Sequence, residues 1–277
     1  MPSIADKRRT FRTLHQSGCF VIPNPWDVGS ARYLQHLGFK AIASTSAGFA
    51  FAQGYPDGAV PRDMMIEHLH ALAHASDLPL NADFEAGYAD DLAGVAESVR
   101  LAVEAGVSGL SIEDGADRKL YAVDDAVARV RTARGAIDKT GGDVLLVGRA
   151  ECFLLGRPDL DETIARLKAY ANAGADCLYA PGIKSREQIT AVVSAVAPKP
   201  VNLLMSSGAQ PLTVADLAAL GVRRISVGGA LARVAWGGVM RVAKQIAEEG
   251  RFDGLNDSVP GAELNAMFRD DLKKRST

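Results

Sequence analysis

Four charged side chains lie at the ends of three consecutive apolar segments of the sequence. Asp83 and Glu85 come with the first segment, Glu113 ends the second, and Arg149 ends the third. Because like charges a few ångströms apart repel each other, carboxylates that meet in a fold need a cation between them. Oxygen ligands suit a hard ion, so the set predicts a Mg²⁺ site, with Mn²⁺ as the alternative, beside an arginine that can bind an anion.

Each of these signals has an ordinary structural explanation when it stands alone. An Asp-x-Glu after a strand is commonly a helix N-cap followed by a first-turn acid, and a lone arginine can be an ion-pair partner. His70 and His74 have a spacing compatible with a metal, but EHLHALAHA is a helical pattern, which favours a solvated helix face. All the histidines precede residue 75, in helical stretches, so an imidazole-rich zinc or iron site is not expected.

Composition excludes several other classes of function. The formal net charge is −2, and no basic run is long enough to follow a nucleic-acid backbone. No apolar stretch approaches the roughly 18 residues of a membrane span, and the N-terminus lacks the apolar middle of a signal peptide. The 3 cysteines are far apart, as small buried residues of a reducing compartment would be. We expect a cytoplasmic protein with neither nucleic acid nor membrane as a partner.

A repeated unit positions these residues: a short apolar strand, a polar turn and an amphipathic helix. Strands that are apolar throughout are typical of a parallel sheet buried on both faces. Gly106 and Gly174 each end a helical pattern and lead into the next strand. The eight predicted strands are Cys19–Ile22, Ala41–Ser44, Leu80–Asp83, Gly109–Glu113, Val144–Arg149, Cys177–Ala180, Val201–Leu204 and Arg224–Val227.

Eight strands alternating with helices predict an α/β protein with a (β/α)8 TIM-type barrel. A doubly wound open sheet is the alternative, but its GxGxxG sequence after the first strand is absent. We expect one domain over residues 1–277, with a helical extension from about residue 251 that packs on a neighbouring subunit or frays. In a barrel, the active site lies at the carboxyl ends of the strands, where the acids and Arg149 stand.

Five segments in order along the chain resemble the isocitrate lyase/phosphoenolpyruvate mutase superfamily. They are VIPNPWDVGSAR, STSAGFAFAQGYPD, NADFEAGY, LSIEDG and VGRAE, and the resemblance covers roughly residues 20–239. It implies a (β/α)8 barrel whose eighth helix is exchanged between subunits of a dimer within a homotetramer. It also implies chemistry through a pyruvate-enolate-like species, which a metal and the donors of the strand-two loop stabilise.

The resemblance implies a role for each matching residue. Mg²⁺ would be held near Asp83, Glu85 and Glu113, with Asp57 behind them. Arg149 would bind the substrate, and the loop after the second strand would hold a carboxylate, although this loop could also be a simple turn. The implied substrate-binding set is Ser44, Thr45, Ser46, Ala47, Asp57, Arg149 and Asn202.

The loop after the fourth strand departs from the Lys-x-Cys-Gly-His pattern of the superfamily's lyases. Lys119 matches the loop lysine, but Tyr121 stands where the lyases have a cysteine as general acid and the mutase an asparagine. A tyrosine, with an ordinary pKa of about 10, is a different acid from a thiol. Pro181 replaces a glutamate and Leu204 an asparagine, with Asn202 two residues earlier. These departures argue against isocitrate or 2-methylisocitrate as substrates and leave Lys119 and Tyr121 as the expected catalytic partners of Arg149.

The favoured hypothesis is a Mg²⁺-dependent carbon–carbon lyase or decarboxylase. It would act on a small 2-oxo or 2-hydroxy (di)carboxylate, in a homodimer or homotetramer. One alternative is a phosphonopyruvate-type mutase or hydrolase, and another is a non-catalytic barrel that binds a 2-oxo acid. A Schiff-base aldolase is disfavoured because no predicted strand has an internal lysine.

Overall fold

Eight parallel strands form a nearly closed barrel in the computed structural model, which describes residues 2–208 and 211–275. The predicted (β/α)8 fold is therefore confirmed, and every predicted strand end lies within one residue of the observed end. Residues 1, 209, 210, 276 and 277 of the predicted domain lie outside the described residues. The strands are β1 (Phe20–Ile22), β2 (Ile42–Ala43), β3 (Leu80–Asp83), β4 (Gly109–Glu113), β5 (Gly115–Ala116), β6 (Lys119–Leu120), β7 (Leu145–Arg149), β8 (Cys177–Tyr179), β9 (Val201–Leu204) and β10 (Arg224–Ser226).

The strand order around the barrel is β1-β10-β9-β8-β7-β4-β3-β2, and β5 and β6 form a separate antiparallel hairpin. The ring is closed between β1 and β2 by single hydrogen bonds instead of a ladder. Ala43 N donates to Pro23 O at 3.0 Å, and Asn24 Nδ2 donates to Ser44 O at 2.8 Å. Pro23 has no N–H to return, which limits regular pairing at this seam.

Helices surround the barrel and one of them closes its lower end. Phe11 of the first helix is fully buried and packs against inward-facing Phe20, Ile22 and Leu145. The helices are α1 (Ile4–Leu14), α2 (Val28–His36), α3 (Ser46–Ala52), α4 (Arg62–Ala75), α5 (Leu92–Glu104), α6 (Val123–Lys139), α7 (Leu160–Asn172), α8 (Arg186–Val196), α9 (Val214–Ala219), α10 (Ala230–Glu249) and α11 (Gly261–Arg275). None of the helices within the described ranges is long and apolar enough to cross a membrane.

The interior of the barrel is polar above this apolar plug. Alternate strand residues face inward, since side chains along a strand point to opposite faces. The outward residues, such as Leu110, Leu146 and Leu178, belong to the main hydrophobic core with the helices. The inward residues that are polar and buried are Asn81, Ser111, Asn202, Arg224 and Ser226. TIM barrels are ordinarily filled by branched apolar side chains, so this polar interior departs from the usual core.

Helix α10 leaves the barrel with most of its apolar residues uncovered, while α11 returns to it. Ala232 is the one buried residue of α10, whereas Trp236 and Met240 are exposed. In contrast, Asp271 of α11 is buried against Arg32 of α2, whose Nε donates to Asp271 Oδ2 at 2.8 Å. The extension is therefore anchored on its own barrel, and the exchange of a helix between subunits stays a prediction.

We expect the wild-type chain to form a dimer or tetramer through the apolar face of α10, because contiguous exposed apolar area on a folded protein marks an interface. A Trp236→Glu/Met240→Glu double variant should sediment as a smaller species, since two charges at a buried contact are costly. Lys244→Glu, an exposed position on the same helix, is the control and should keep the wild-type mass. A monomeric wild-type protein in sedimentation equilibrium would contradict the prediction.

Two buried neutral histidines make the fold sensitive to acid. Burial lowers the pKa of His15 to about 3 and that of His68, stacked on Phe49, to about 4. Below pH 6.5 the unfolded chain therefore binds more protons than the native state, and stability falls as the pH decreases towards 4. Between pH 6.5 and 5, we expect the free energy of unfolding to decrease by about 2 kcal/mol less in His68→Gln than in the wild type. Urea unfolding at both pH values measures this, with exposed His36→Gln as the control; equal pH slopes for both variants would contradict it.

Candidate active site

A cavity of about 910 Å³ opens at the carboxyl ends of the strands and extends down into the barrel. Most of the residues predicted from the sequence line it: Thr45, Ser46, Ala47, Asp57, Asp83, Glu85, Glu113, Arg149 and Asn202. Three predicted residues, Ser44, Lys119 and Tyr121, are not among its lining residues. The structure thus brings the acids and the arginine together, as expected for strand ends that meet at one mouth.

Arg149 lies at the centre of the acidic cluster. Its Nη1 lies 3.0 Å from Asp83 Oδ1 and 2.6 Å from Glu113 Oε1, and its Nε donates to Glu151. Burial by itself would lower the pKa of Arg149, but Glu113 and Glu151 raise it well above its usual value. This guanidinium is therefore permanently charged, and the contacts of its Nη1 and Nε atoms with three carboxylates hold it in place.

The carboxylates carry more negative charge than Arg149 can neutralise. Burial raises the pKa of Glu85 to about 7, with further contributions from Asp83 and Asp57, although Tyr88 Oη donates to Glu85 Oε1 at 3.0 Å. Burial and the charge of Asp83 also raise the pKa of Asp57. Both pKa values are raised first by burial and then by neighbouring carboxylates, so a bound cation would favour the charged form of each acid.

The loop between β2 and α3 fixes Asp83 in place. Both the backbone N and the Oγ of Ser46 donate to Asp83 Oδ2 at 3.1 Å, and Asp83 N donates to the Oγ of buried Ser44 at 2.9 Å. Thr45 Oγ1 caps α3 by accepting a hydrogen bond from Gly48 N. These donors are engaged with the protein itself, so the role of the loop in holding a substrate carboxylate stays a prediction.

The hairpin after β4 turns the predicted proton-transfer residues away from the cavity. Asp117 and Arg118 have φ values of 49° and 62°, which gives a two-residue turn between β5 and β6 with both central residues left-handed. Lys119 is exposed, and the Tyr121 ring packs under the Arg129 guanidinium at 4.4 Å. Asp117 and Arg118 line the cavity in their place. Lys119 and Tyr121 do not line the cavity in this structure, and their expected catalytic roles stay a prediction.

Comparison with known proteins gives the family. A family model described as phosphoenolpyruvate phosphomutase matches residues 11–247. The chain belongs to this family. It is 33% identical over 231 residues to an oxaloacetate decarboxylase of Paraburkholderia xenovorans, covering 79% of this chain and 74% of the other. The superfamily resemblance inferred from the sequence is thereby confirmed.

Solved structures of relatives share the whole fold. A Burkholderia cenocepacia protein provisionally described as a lyase/mutase is 47% identical with a TM-score of 0.92, covering 96% of this chain and 97% of that one. A 2,3-dimethylmalate lyase described as a member of the phosphoenolpyruvate mutase/isocitrate lyase superfamily is 26% identical, with a TM-score of 0.84 and coverage of 100% and 98%. The chain is accordingly an enzyme of the carbon–carbon lyase class in this superfamily.

Members of this superfamily generally depend on a divalent metal, and the cavity fits such an ion through its charge. Within the described ranges, no three acid, histidine or cysteine side chains stand close enough to hold a metal by themselves. Mg²⁺ needs only one or two carboxylates, because it retains several waters. Six carboxylates and four arginines line the cavity, a formal excess of two negative charges: Asp57, Asp83, Glu85, Glu113, Asp117 and Glu151 against Arg118, Arg149, Arg224 and Arg233.

Several residues of the site were not assigned a role from the sequence. Glu151, two residues after Arg149, accepts a hydrogen bond from Arg149 Nε, and its N–H donates to Asp114 Oδ1 at 2.7 Å. Asp114 also accepts from Tyr170 Oη at 2.6 Å, so it positions Glu151 and does not face the cavity. Tyr179 ends β8 and Arg224 begins β10, and both line the cavity. The available signal was a polar residue in a short, mostly apolar strand.

Proposed function

We propose that this enzyme cleaves a carbon–carbon bond of a small 2-oxo dicarboxylate with Mg²⁺, and that oxaloacetate, decarboxylated to pyruvate, is the first substrate to test. The observation that carries the proposal is the composition of the cavity. Among the described residues that line it there is no histidine, cysteine or lysine, while oxygen ligands surround a fixed arginine. Such a site can stabilise an enolate, and an enolate that forms by loss of CO₂ requires no general base.

Loss of CO₂ from a 2-oxo dicarboxylate is a reaction that the residues lining the cavity could catalyse. The bond between carbon 3 and the departing carboxylate breaks, and its electron pair forms the enolate of pyruvate. A proton from solvent then adds to carbon 3. No base is needed to begin this sequence, in contrast to the cleavage of a 2-hydroxy acid, which requires removal of the hydroxyl proton.

Residues of this chain would hold the metal and orient the substrate. Asp83, Glu85 and Glu113 would hold Mg²⁺, directly or through waters. The chemistry supplied by a metal held there would be Lewis-acid stabilisation of the developing negative charge. The Nη1 and Nε atoms of Arg149 contact carboxylates, so Nη2 would be the donor to a substrate oxygen. Glu151 and Asp83 keep this guanidinium in one orientation.

The experiment follows oxaloacetate by proton NMR with purified enzyme and Mg²⁺. Oxaloacetate loses CO₂ slowly by itself and faster with free Mg²⁺, so the reference is the Glu113→Gln variant at the same Mg²⁺ concentration. We expect pyruvate to form at least 100-fold faster with the wild type, roughly the loss caused by removing one preorganised electrostatic group. Malate derivatives with 2-hydroxyl groups, measured in parallel, test the cleavage of hydroxy acids.

The products discriminate among related reactions. Oxalate and acetate in place of pyruvate would show cleavage between carbons 2 and 3 by water. Equal rates for the wild type and Glu113→Gln, with oxaloacetate and with the malate derivatives, would refute the proposal.

A further inference from the structure

Tyr179 is the one phenol among the described residues that line the cavity. It ends β8, where it pairs with Arg149 of β7 on one side and with Asn202 of β9 on the other. The residue is 7% exposed, and the Arg149 guanidinium lies over its ring, 5.1 Å from the ring centre. The ring is therefore held beside the arginine that would bind the substrate.

The Tyr179 hydroxyl is protonated at neutral pH and has polar neighbours. Burial raises the pKa of Tyr179 above its ordinary value, although the charge of Arg149 and a hydrogen bond with the Ser226 side chain lower it. Ser226 Oγ in turn accepts a hydrogen bond from Asn202 Nδ2 at 3.0 Å. Such a phenol has a proton to give, and the two groups that lower its pKa would stabilise the phenolate left behind.

The other groups that line the cavity are poorer proton donors to a carbon atom. Within the described ranges the lining contains no histidine, cysteine or lysine, and arginine does not lose its proton in proteins. Most of the carboxyl groups contact Arg149 or would hold Mg²⁺, and both roles require the charged form. Serine hydroxyls are weaker acids than a phenol, and those of Ser46 and Ser111 already donate hydrogen bonds within the protein.

The position of β8 in the ring puts Tyr179 on the side of the substrate where carbon 3 would lie. β8 is the fourth strand from β2 in either direction, so it stands opposite the loop after β2 that is predicted to hold a substrate carboxylate. Asp83 and Glu113, which would hold the cation near the oxygen of carbon 2, end the intervening strands β3 and β4. Because carbon 2 lies between the retained carboxylate and carbon 3, carbon 3 would point towards β8.

We propose that Tyr179 donates the proton that adds to carbon 3 of the enolate; this inference rests on the proposed function. Loss of CO₂ leaves the electron pair of the broken carbon–carbon bond in the enolate. The O–H bond of Tyr179 then breaks, its proton forms the new C–H bond with that electron pair, and the carbonyl group of pyruvate is restored. The phenolate recovers a proton from solvent, so the solvent proton reaches carbon 3 through Tyr179.

The Tyr179→Phe variant, followed by proton NMR with oxaloacetate and Mg²⁺, tests this step. Phenylalanine keeps the ring beside Arg149 and removes only the hydroxyl, so the Tm and the rate of CO₂ release should stay close to those of the wild type. Proton transfer to carbon 3 should slow about 100-fold or more, which is the contribution of a general acid. The variant should therefore release enolpyruvate, recognised by its vinyl proton signals, whereas the wild type should release pyruvate directly. A reaction without enzyme gives the background to subtract.

Two further variants separate this role from a structural one and from the assignment based on the loop pattern. Tyr33→Phe, at an exposed position on α2, is the matched control and should release pyruvate directly. Enolpyruvate released by Tyr121→Phe and not by Tyr179→Phe would overturn the inference in favour of the residue predicted from the sequence. A purely structural role for Tyr179 predicts that CO₂ and pyruvate formation fall together without enolpyruvate, and this result would also overturn it.

The outcomes for the two proposals are distinguishable. Release of CO₂ by the wild type, with pyruvate formed directly by Tyr179→Phe as well, supports the proposed function and excludes Tyr179 as the donor. A wild type that itself releases enolpyruvate does the same. A wild type no faster than Glu113→Gln with oxaloacetate overturns the role of Tyr179, and the same result with the malate derivatives refutes the proposed function too.

Discussion

We expect the Arg149→Met variant to lose about 10³-fold in kcat/KM and about 3–5 kcal/mol in the free energy of unfolding. Methionine fills a similar volume but removes the cation that Asp83, Glu113 and Glu151 share. Those carboxylates would then be buried together without a partner, which is the costly way to break an ion pair. Assays of turnover and urea unfolding of the same preparation measure both effects.

Arg149→Lys is the control that separates charge from shape. It keeps the positive charge, so most of the stability should return, but one ammonium cannot reach carboxylates that the planar guanidinium contacts through separate nitrogens. Activity should therefore remain low. An Arg149→Met variant as stable as the wild type would contradict the predicted role of Arg149 in stability. A fully active Arg149→Lys variant would contradict the need for a guanidinium in catalysis.

We expect removal of divalent metal with EDTA to abolish turnover.

We also expect the affinity for Mg²⁺ to depend on pH. The pKa of Glu85 is about 7 before a metal binds, raised mainly by burial, so below pH 7 a proton competes with the ion. Affinity should fall roughly tenfold per pH unit below 7 and level off above it. Calorimetric titration of Mg²⁺ at pH 6 and pH 8 measures the difference.

Glu85→Gln tests the assignment of this pH dependence. The variant should bind Mg²⁺ more weakly at pH 8, and its affinity should change little between pH 6 and 8. Glu97→Gln, at an exposed position on α5, should behave as the wild type. If the wild-type affinity does not vary with pH, Glu85 is not a group that must release its proton for Mg²⁺ to bind.

The position of the acidic site could be predicted from local sequence, but the direction of its loop residues could not. Asp83, Glu113 and Arg149 end strands, and every parallel strand of a barrel ends at the same mouth, so their meeting followed from the strand pattern. Tyr121 was assigned its role by the match of its loop to the superfamily's Lys-x-Cys-Gly-His pattern. In the structure, the left-handed turn at Asp117 and Arg118 and the contact with Arg129 decide where its ring lies.

The sequence by itself determined the eight strands, their order in the repeat and the acids and arginine at their ends, because these depend on apolar runs and residue types within short windows. Tertiary structure alone decided which charges pair. Arg149 meets Asp83 across 66 positions of sequence, and Arg224 meets Asn81 across 143. Such contacts depend on the register and tilt of strands around a closed barrel, which set the level at which each inward side chain ends. No local pattern carries that information, so the buried charge of Arg224 became visible only in the fold.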